Sequence, residues 1–315
     1  MSRPESFTLS RRDALAVGLS VGASALCGPV IAADHKDSPL LTKAIPSSGE
    51  RLPVVGLGTN AFTSRSPEEL EARRAVLRRL PALGGKVVDT AAIYGQSEQV
   101  IGDALGEFGS RERIFLSTKV MAMEAAAAKT SIDQSFQRLK AGRIDLLSIH
   151  NLMGIEAVLP MLQDLKSSKR IRYIGVTTSN PADHPRLIET MRQHPYDFIQ
   201  VDYSLGDRDA ANEVLPLAQE RHMAVLINVP FGGRRGRNIF TQLGDRQLPP
   251  WAADIDASSW AQFFLKYVIS HPAVTCAIPG TTDVAHLTDN LNGGRGRLPD
   301  AAMRKRMEEF WDAKS

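Results

Sequence analysis

Cysteine is scarce in this chain of 315 residues, which contains two, Cys27 and Cys276. Two cysteines so far apart in the sequence cannot build a zinc cluster or a disulfide framework, and the sequence predicts no metal site. Cys276 stands in an apolar run, which favours a buried structural thiol over a nucleophile. Aromatic residues make up 6% of the chain, and no basic helix is interleaved with aromatic residues. That composition gives no support for a nucleic-acid partner.

An excess of charge of one sign is also missing. The chain has 38 Lys and Arg against 35 Asp and Glu, a net charge of +3 at pH 7. Hydrophobic residues account for 43% and charged residues for 23%, which is typical of a folded globular protein. The length suits one large domain or two ordinary ones, and disorder is not expected.

The first 33 residues differ in composition from the rest of the chain. Arg11 and Arg12 precede an uncharged run from Ala14 to Ala33 that is rich in Ala, Gly and Ser. This pattern resembles a twin-arginine export signal, so we expect export by the twin-arginine machinery to the periplasm or otherwise out of the cytoplasm. The run is also long enough to span a bilayer, and an uncleaved anchor is the alternative. Pro29 and the small residues favour a cleaved signal, with no stable membrane partner afterwards.

Residues 34–40 form a leader, and residues 41–315 alternate short apolar strands with helices. The strands are too apolar to be half exposed, as in a parallel sheet covered by helices. Eight such units predict the α/β class and a (β/α)8 TIM barrel. A doubly wound sheet is the alternative, although Val55–Thr59 lacks the third glycine of a dinucleotide-binding turn. The predicted strands are Val54–Thr59, Lys86–Asp89, Ile114–Lys119, Ile144–Ile149, Tyr173–Thr177, Phe198–Val201, Ala224–Asn228 and Val274–Ile278. The predicted helices are Pro67–Leu83, Glu98–Phe108, Thr130–Leu139, Val158–Ser168, Pro181–Arg192, Ala210–Arg221, Ser259–Ser270 and Val284–Leu291.

Four polar residues stand at the ends of predicted strands or just past them. Asp89, Lys119 and His150 end three successive strands, and Tyr94 lies on the loop after the first of these. Burying a charge is unfavourable unless the charge is paired or used, and strand ends converge on one mouth of a barrel. The four residues therefore predict a proton-transfer centre around a phenol. The alternative is a purely structural role, with a buried ion pair, a tyrosine in the core and a histidine whose ring nitrogens are hydrogen-bonded. The histidines expected at the surface are His184, His194, His222 and His271.

These residues lie in stretches that resemble the aldo-keto reductase family, and the resemblance covers about residues 41–312. Its most specific stretch is Asp89–Glu98. The resemblance supports the barrel, with an N-terminal hairpin that closes its bottom and a C-terminal capping helix. The apolar stripe of that helix indicates packing. The supporting stretches are Ile45–Pro53, Ser117–Val120, Ile174–Val176, Ile278–Gly280 and Asp289–Leu291, and the stripe consists of Met303, Met307, Phe310 and Trp311.

The resemblance implies an NAD(P)H-dependent oxidoreductase that reduces the aldehyde or ketone carbonyl of a small-molecule substrate to an alcohol, and the sequence does not identify that substrate. In such an enzyme hydride goes to the carbonyl carbon, and Tyr94 supplies a proton to the oxygen as general acid. Lys119, held by Asp89, stabilises the phenolate. His150 hydrogen-bonds the substrate oxygen or assists proton transfer. The alternative is a barrel that binds the nicotinamide cofactor as a sensor or subunit with little turnover.

The resemblance also implies residues around the nicotinamide ring. Gln200 matches the glutamine that holds the carboxamide. Thr177 and Thr178 replace the family's usual Ser-Asn pair, so that fewer hydrogen-bonding groups are available there. Asn228 stands near the position of the aromatic residue that commonly stacks on the ring, and Phe231 is the candidate substitute.

At the phosphate end of the cofactor, Gly280, Thr281 and His286 replace the Lys-Ser pair and the later Arg that often hold the 2′-phosphate. The loss of fixed positive charge weakens the case for strict NADPH use. A long glycine- and arginine-rich loop at 232–258 lies on the catalytic side. Either it grips the phosphates or it is a solvated basic loop. We expect NADPH, with NADH as the alternative. The remaining expected cofactor residues are Arg234, Arg235, Arg237 and Asn290.

Overall fold

The computed structural model of the protein describes residues 38–233 and 238–313. The predicted export signal at 1–33 and most of the leader lie outside the described residues, and so do Arg234, Arg235 and Arg237 of the long loop. Within the described ranges, no helix is both long enough and apolar enough to cross a membrane.

The described residues form ten strands and nine α-helices, numbered in chain order. The strands are β1 (Thr42–Ala44), β2 (Arg51–Pro53), β3 (Leu57–Gly58), β4 (Val87–Asp89), β5 (Phe115–Val120), β6 (Ile144–Ile149), β7 (Ile171–Thr177), β8 (Phe198–Val201), β9 (Ala224–Ile227) and β10 (Cys276–Ala277). The helices are α1 (Pro67–Ala82), α2 (Ser97–Glu107), α3 (Ala125–Arg138), α4 (Ile155–Ser167), α5 (His184–Gln193), α6 (Val214–Glu220), α7 (Trp260–Ser270), α8 (Val284–Asn292) and α9 (Ala301–Asp312).

Strands β3 to β10 form one parallel sheet in which neighbours in sequence are neighbours in space. Its two edges meet, because Val55 pairs with Ala277 and Gly58 pairs with Gly280 in parallel bridges. The amide of Gly58 donates to the carbonyl oxygen of Pro279 at 3.0 Å. Because the sheet closes on itself and a helix follows each strand, the predicted (β/α)8 barrel is confirmed and a doubly wound sheet is excluded.

Helix boundaries follow local sequence signals, with some differences from the prediction. Ser66 caps α1, because its Oγ accepts a hydrogen bond from the Glu69 amide at 3.2 Å, and Pro67 is the first helical residue. Helix α3 begins at Ala125 and not at Thr130, since its alanine-rich first turn has high helix propensity but no apolar periodicity. Helices α5 and α6 begin later than predicted, because short 3₁₀ turns precede them.

The β1–β2 hairpin closes the N-terminal end of the barrel. Ile45 and Leu52 from the hairpin join a buried cluster with inward-facing strand residues such as Phe115 and Phe198. Cys276 lies in the same cluster and is fully buried, as predicted for a structural thiol. Burial raises the pKa of the Cys276 thiol, which keeps it protonated and unreactive.

Charged side chains at the starts of the strands tie the hairpin to the barrel. Glu50 forms ion pairs with Lys86, at 2.8 Å, and with Arg172. Arg172 also contacts Asp145 at 2.8 Å. Lys43 donates from its Nζ to three backbone carbonyls at and just after the end of α7, at 2.7 or 2.8 Å. The expected bottom hairpin is therefore confirmed, and a network of charges fixes its position.

The C-terminal helix α9 packs on the outside of the barrel against α7. The ring of Phe310 lies 5.6 Å from Trp251, and the ring of Trp311 lies 5.6 Å from Phe264. Met307 is fully buried. The apolar stripe predicted for this helix therefore serves packing.

Candidate active site

The carboxyl ends of β4, β5 and β6 bring three titratable side chains to one cavity. Asp89 ends β4, Lys119 lies near the end of β5 and His150 directly follows β6, while Tyr94 stands on the loop after β4. All four line a cavity of about 470 Å³. Asp89, Lys119 and His150 are 3%, 2% and 6% exposed, whereas Tyr94 is partly exposed. The structure thus assembles the four residues that the sequence predicted as a proton-transfer centre.

A buried ion pair forms the base of this cavity. The Nζ of Lys119 lies 2.6 Å from Oδ2 of Asp89 and donates to the carbonyl oxygen of Thr90 at 2.7 Å. Ser117 Oγ donates to the other oxygen of Asp89 at 2.7 Å, and Gln200 Nε2 donates to Oδ2 at 3.3 Å. Burial disfavours the ammonium form, but the Asp89 carboxylate and, after it, Tyr94 outweigh that effect and raise the pKa of Lys119 above its ordinary 10.5. Lys119 therefore holds a positive charge at neutral pH.

The ring of Tyr94 lies close to both this cation and an imidazole. The Nζ of Lys119 is 5.2 Å from the centroid of the Tyr94 ring. The ring of His150 meets the Tyr94 ring edge to face, with centroids 5.9 Å apart and planes at 82°. A phenol beside a fixed positive charge can release a proton, because the charge stabilises the phenolate. The arrangement suits proton donation to a ligand in the cavity.

A buried cluster of hydroxyl groups positions the loop that carries Tyr94. Ser97 Oγ lies 2.9 Å from Oγ1 of Thr59 and 2.9 Å from Oγ1 of Thr90. Thr59 in turn donates to the backbone carbonyl of Asp89 at 2.8 Å. The sequence reasoning gave these hydroxyls no role. The signal for them was the presence of Thr90 and Ser97 within the most specific stretch.

The backbone after His150 is left-handed at two residues that are not glycine. Asn151 has a φ of 52° and Leu152 a φ of 58°. Such strain persists only where the surroundings fix the chain. Here the Asn151 amide donates to Thr177 Oγ1 at 3.1 Å, and Arg186 Nη2 donates to the Leu152 carbonyl at 2.8 Å. These bonds fix the direction in which His150 enters the cavity.

Five of the expected cofactor residues line the same cavity as Asp89, Tyr94, Lys119 and His150. They come from the ends of four strands and from the loop after β9, which places them around one mouth. These residues are Thr177, Gln200, Asn228, Phe231 and Gly280.

Thr178, which was also expected near the carboxamide, is fully buried. Its Oγ1 lies 3.4 Å from Asp183 Oδ2 and accepts a hydrogen bond from the Asn180 amide at 3.1 Å. Its backbone carbonyl accepts a hydrogen bond from Asn228 Nδ2 at 2.9 Å. The Thr178 hydroxyl thus forms its hydrogen bonds within its own loop. Thr178 contacts the cavity wall through the side chain of Asn228.

The residues expected at the phosphate end lie on or just before α8. The Asp283 amide donates to Oγ1 of Thr281 at 3.1 Å, and the amide of the exposed His286 donates to Oδ1 of Asp283 at 2.9 Å. Asn290 is buried within α8. The hydrogen bond from His286 lowers the pKa of Asp283, so a carboxylate already occupies the positive end of this helix. A further anion there would meet that negative charge.

Two amide oxygens in the cavity are buried and lack a hydrogen-bond partner among the described residues. They are Oε1 of Gln200 and Oδ1 of Asn228. Buried polar atoms in folded proteins are nearly always paired, so this wall suits a ligand that brings N–H or O–H groups. The carboxamide of a nicotinamide ring has such groups, and the residues present therefore fit the expected cofactor.

The cavity has other polar lining that the sequence reasoning did not assign. Asn60, Asn151, Ser179 and Asn238 contribute to its wall. Asn60, Asn151 and Ser179 lie within two residues of a strand end, which was the available signal. With these side chains, amide and hydroxyl groups line the same cavity as the phenol of Tyr94.

Comparisons with known proteins give results in line with this geometry. A profile of the aldo/keto reductase family matches residues 54–312. The methylglyoxal reductase YeaE of Escherichia coli is 31% identical over 257 residues, which cover 79% of this chain and 88% of the relative. The solved holo form of the aldo-keto reductase AKR11C1 from Bacillus halodurans has a TM-score of 0.71 at 22% identity, covering 87% of this chain and 97% of that one. An aldo-keto reductase from Klebsiella pneumoniae in complex with NADPH has a TM-score of 0.71 at 23% identity, covering 88% and 97%.

Proposed function

Because the chain belongs to the aldo/keto reductase family, we propose that it is an NADP(H)-dependent oxidoreductase that reduces aldehydes or ketones, with Tyr94 as general acid. One observation carries the proposal. The phenol of Tyr94, the Lys119–Asp89 ion pair and the His150 ring meet at a single cavity. The packing of a core would not by itself place a partly exposed phenol over a buried cation.

Each residue of the centre has a distinct part in the reaction. The bound cofactor supplies the hydride that reduces the carbonyl carbon. Tyr94 donates a proton to the carbonyl oxygen, and the charge of Lys119 stabilises the phenolate that remains. Asp89 holds Lys119 in place, and His150 orients the carbonyl oxygen by a hydrogen bond. Gln200 would hold the nicotinamide carboxamide, with Gly280 at the phosphate end of the mouth.

We further propose that the substrates are small and polar. Asn60, Asn151 and Ser179 line the cavity that contains Tyr94. Such groups favour substrates with a second carbonyl or hydroxyl oxygen, because amide and hydroxyl groups can hydrogen-bond it. The E. coli relative is named a methylglyoxal reductase, and methylglyoxal is a small dicarbonyl compound. The expected result is a higher kcat/KM for methylglyoxal than for benzaldehyde, and the reverse order would contradict the proposal.

Tyr94→Phe tests the assignment of the general acid. The substitution deletes one hydroxyl, so turnover should fall by roughly 10²–10⁴-fold, the usual contribution of a positioned acid. Affinity for NADPH should hardly change. The measurement is NADPH oxidation with methylglyoxal, together with fluorescence titration of NADPH. A variant that keeps more than about a tenth of wild-type turnover would exclude Tyr94 as the acid. Tight NADPH binding by the wild type, without turnover of any aldehyde, would favour the sensor alternative.

We also propose that residues 1–33 act as a twin-arginine export signal and that the enzyme works outside the cytoplasm, in the periplasm of a Gram-negative cell. The support is the position of Arg11 and Arg12, which only Asp13 separates from an uncharged run of small and apolar residues. These residues lie outside the described part of the chain, so the proposal depends on sequence alone.

A further inference from the structure

Gln200 and Asn228 stand side by side on the cavity wall. Gln200 is in β8 and pairs with Leu226 of the adjacent strand β9, and Asn228 follows the end of β9. Both side chains line the cavity that contains Tyr94. Strand pairing therefore brings two carboxamide side chains to the same region of the wall.

The orientation of each side-chain amide follows from its neighbour. Gln200 Nε2 donates to the carboxylate of Asp89 at 3.3 Å, and that carboxylate is paired with Lys119. Asn228 Nδ2 donates to the backbone carbonyl of Thr178 at 2.9 Å. A paired carboxylate and a backbone carbonyl can only accept hydrogen bonds. Turning either amide around would bring two acceptors together, so each amide keeps its NH₂ group on this protein partner.

The remaining atoms of these amides are two carbonyl oxygens. Oε1 of Gln200 and Oδ1 of Asn228 are buried and have no partner among the described residues. Both are acceptors, whereas the charged Lys119 and the phenol of Tyr94 offer hydrogen atoms elsewhere in the cavity. A ligand that hydrogen-bonds both oxygens must bring two hydrogen atoms on nitrogen or oxygen. A primary carboxamide carries two on a single nitrogen.

We propose that Asn228 is a specificity-determining residue for the cofactor, and that it forms with Gln200 a two-acceptor clamp on the NH₂ of the nicotinamide carboxamide. The inference rests on the proposed function, because it presumes a nicotinamide cofactor. Asn228 stands near a position where the resemblance implies a stacking aromatic ring. This chain therefore recognises the edge of the nicotinamide at a place where a relative would cover its face.

An analogue of the cofactor tests the clamp without any turnover. The 3-acetylpyridine analogue of NADP⁺ has a methyl group in place of the NH₂, so it cannot donate to either oxygen. Wild-type protein should bind NADP⁺ about tenfold more tightly than the analogue in equilibrium calorimetry, the effect of two neutral hydrogen bonds. Asn228→Leu keeps the size of the side chain and removes its oxygen. It should reduce that ratio by about threefold and change the affinity for the analogue little.

A matched asparagine from the same cavity provides the control. Asn60→Leu should leave the ratio of the two affinities at its wild-type value. Since loss of the bond to Thr178 could destabilise the loop, Asn228→Ala is measured as well, and the folding of each variant is checked by thermal unfolding. An unchanged ratio in both Asn228 variants would overturn the clamp while leaving the reductase proposal intact. A wild-type protein that binds no nicotinamide nucleotide would overturn both.

Discussion

Lys119 carries its charge at a buried position at the base of the cavity, and one carboxylate makes this possible. The side chains of Lys119 and Asp89 are 2% and 4% exposed, with the ammonium 2.6 Å from the carboxylate. Breaking a buried pair by removing one partner is far more damaging than breaking a surface pair, because the other charge is left uncompensated. Lys119 also lies 5.2 Å from the centroid of the Tyr94 ring, so the proposed function makes both stability and chemistry depend on this pair.

Lys119→Met should therefore lower the free energy of unfolding by about 3–5 kcal/mol and abolish most of the activity. The folded-state pKa of Lys119 is raised above 10.5, so its stabilising effect is fully present below pH 10.5. That effect is lost as the pH rises through the folded-state value. The melting temperatures of wild type and variant, followed from neutral to strongly alkaline pH, should differ by a constant amount until the pH passes 10.5 and then converge.

The matched control is Lys129→Met. Lys129 pairs with Asp133 at 2.7 Å, but the two side chains are 70% and 54% exposed. An exposed pair of this kind contributes roughly 0–1 kcal/mol, so the melting temperature should hardly change. Equal effects of the two substitutions would contradict the role given to the buried pair.

At the scale of a single element, the start of α8 bears on the choice of cofactor. Asp283 caps this helix through the amide of His286, and Gly280 stands just before it at the rim of the cavity. The described residues at this end of the mouth thus present a carboxylate and a glycine where a phosphate would be expected to need cations. Arg234, Arg235 and Arg237, which could supply them, lie outside the described residues.

Gly280→Lys combined with His286→Arg should raise the preference for NADPH over NADH by roughly ten- to a hundredfold, since a charge-assisted contact contributes about 1.5–3 kcal/mol. A Cβ at position 280 would lie 2.9 Å from Oδ1 of Asn60, so the exposed Asn60 side chain must turn aside. The measurement is the dissociation constants of NADPH and of NADH for the wild type and the double variant. Gly106→Lys with His222→Arg adds the same residue types away from the cavity and should leave the preference unchanged.

A strong preference of the wild type for NADPH would point to a different phosphate site. If the wild type already prefers NADPH strongly, the long loop holds the phosphate, and replacing Arg234, Arg235 and Arg237 with alanine should remove the preference. Tighter binding of NADH than of NADPH by the wild type would overturn our expectation of NADPH.

For the whole molecule, the export proposal makes a prediction of its own. A fusion of residues 1–40 to a folded reporter should reach the periplasm of a Gram-negative host. Replacing Arg11 and Arg12 with lysine should stop it, because the pathway reads the guanidinium pair and not charge alone. The readout is reporter activity in the periplasmic fraction, with and without a functional twin-arginine system. Unchanged export by the double variant, or dependence on the general secretory route, would refute the proposal.

The order of the strands and the position of the candidate site residues were predictable from the sequence, because each of Asp89, Lys119 and His150 follows or ends an apolar run. The details of contact were not. The hydrogen bonds of the Thr178 hydroxyl and of the Asn228 side chain are examples. The hydrophobic periodicity of the sequence gives no information on which residues they join. His184 shows the same limit. It was expected at the surface, but that prediction is wrong, because it is 7% exposed and lies 3.1 Å from Asp202.

The hairpin at the bottom of the barrel has a consequence for the order of events during synthesis. Lys43 binds carbonyl groups that lie 226 to 231 residues further along the chain. The bridge between Val55 and Ala277 likewise joins the beginning of the barrel to its end. Contacts between such distant segments form slowly, and here they cannot form until the ribosome has made almost the whole domain. A nascent chain that stops before β10 leaves its apolar interior open to aggregation. The hairpin is therefore synthesised first, but its contacts with the rest of the barrel form last.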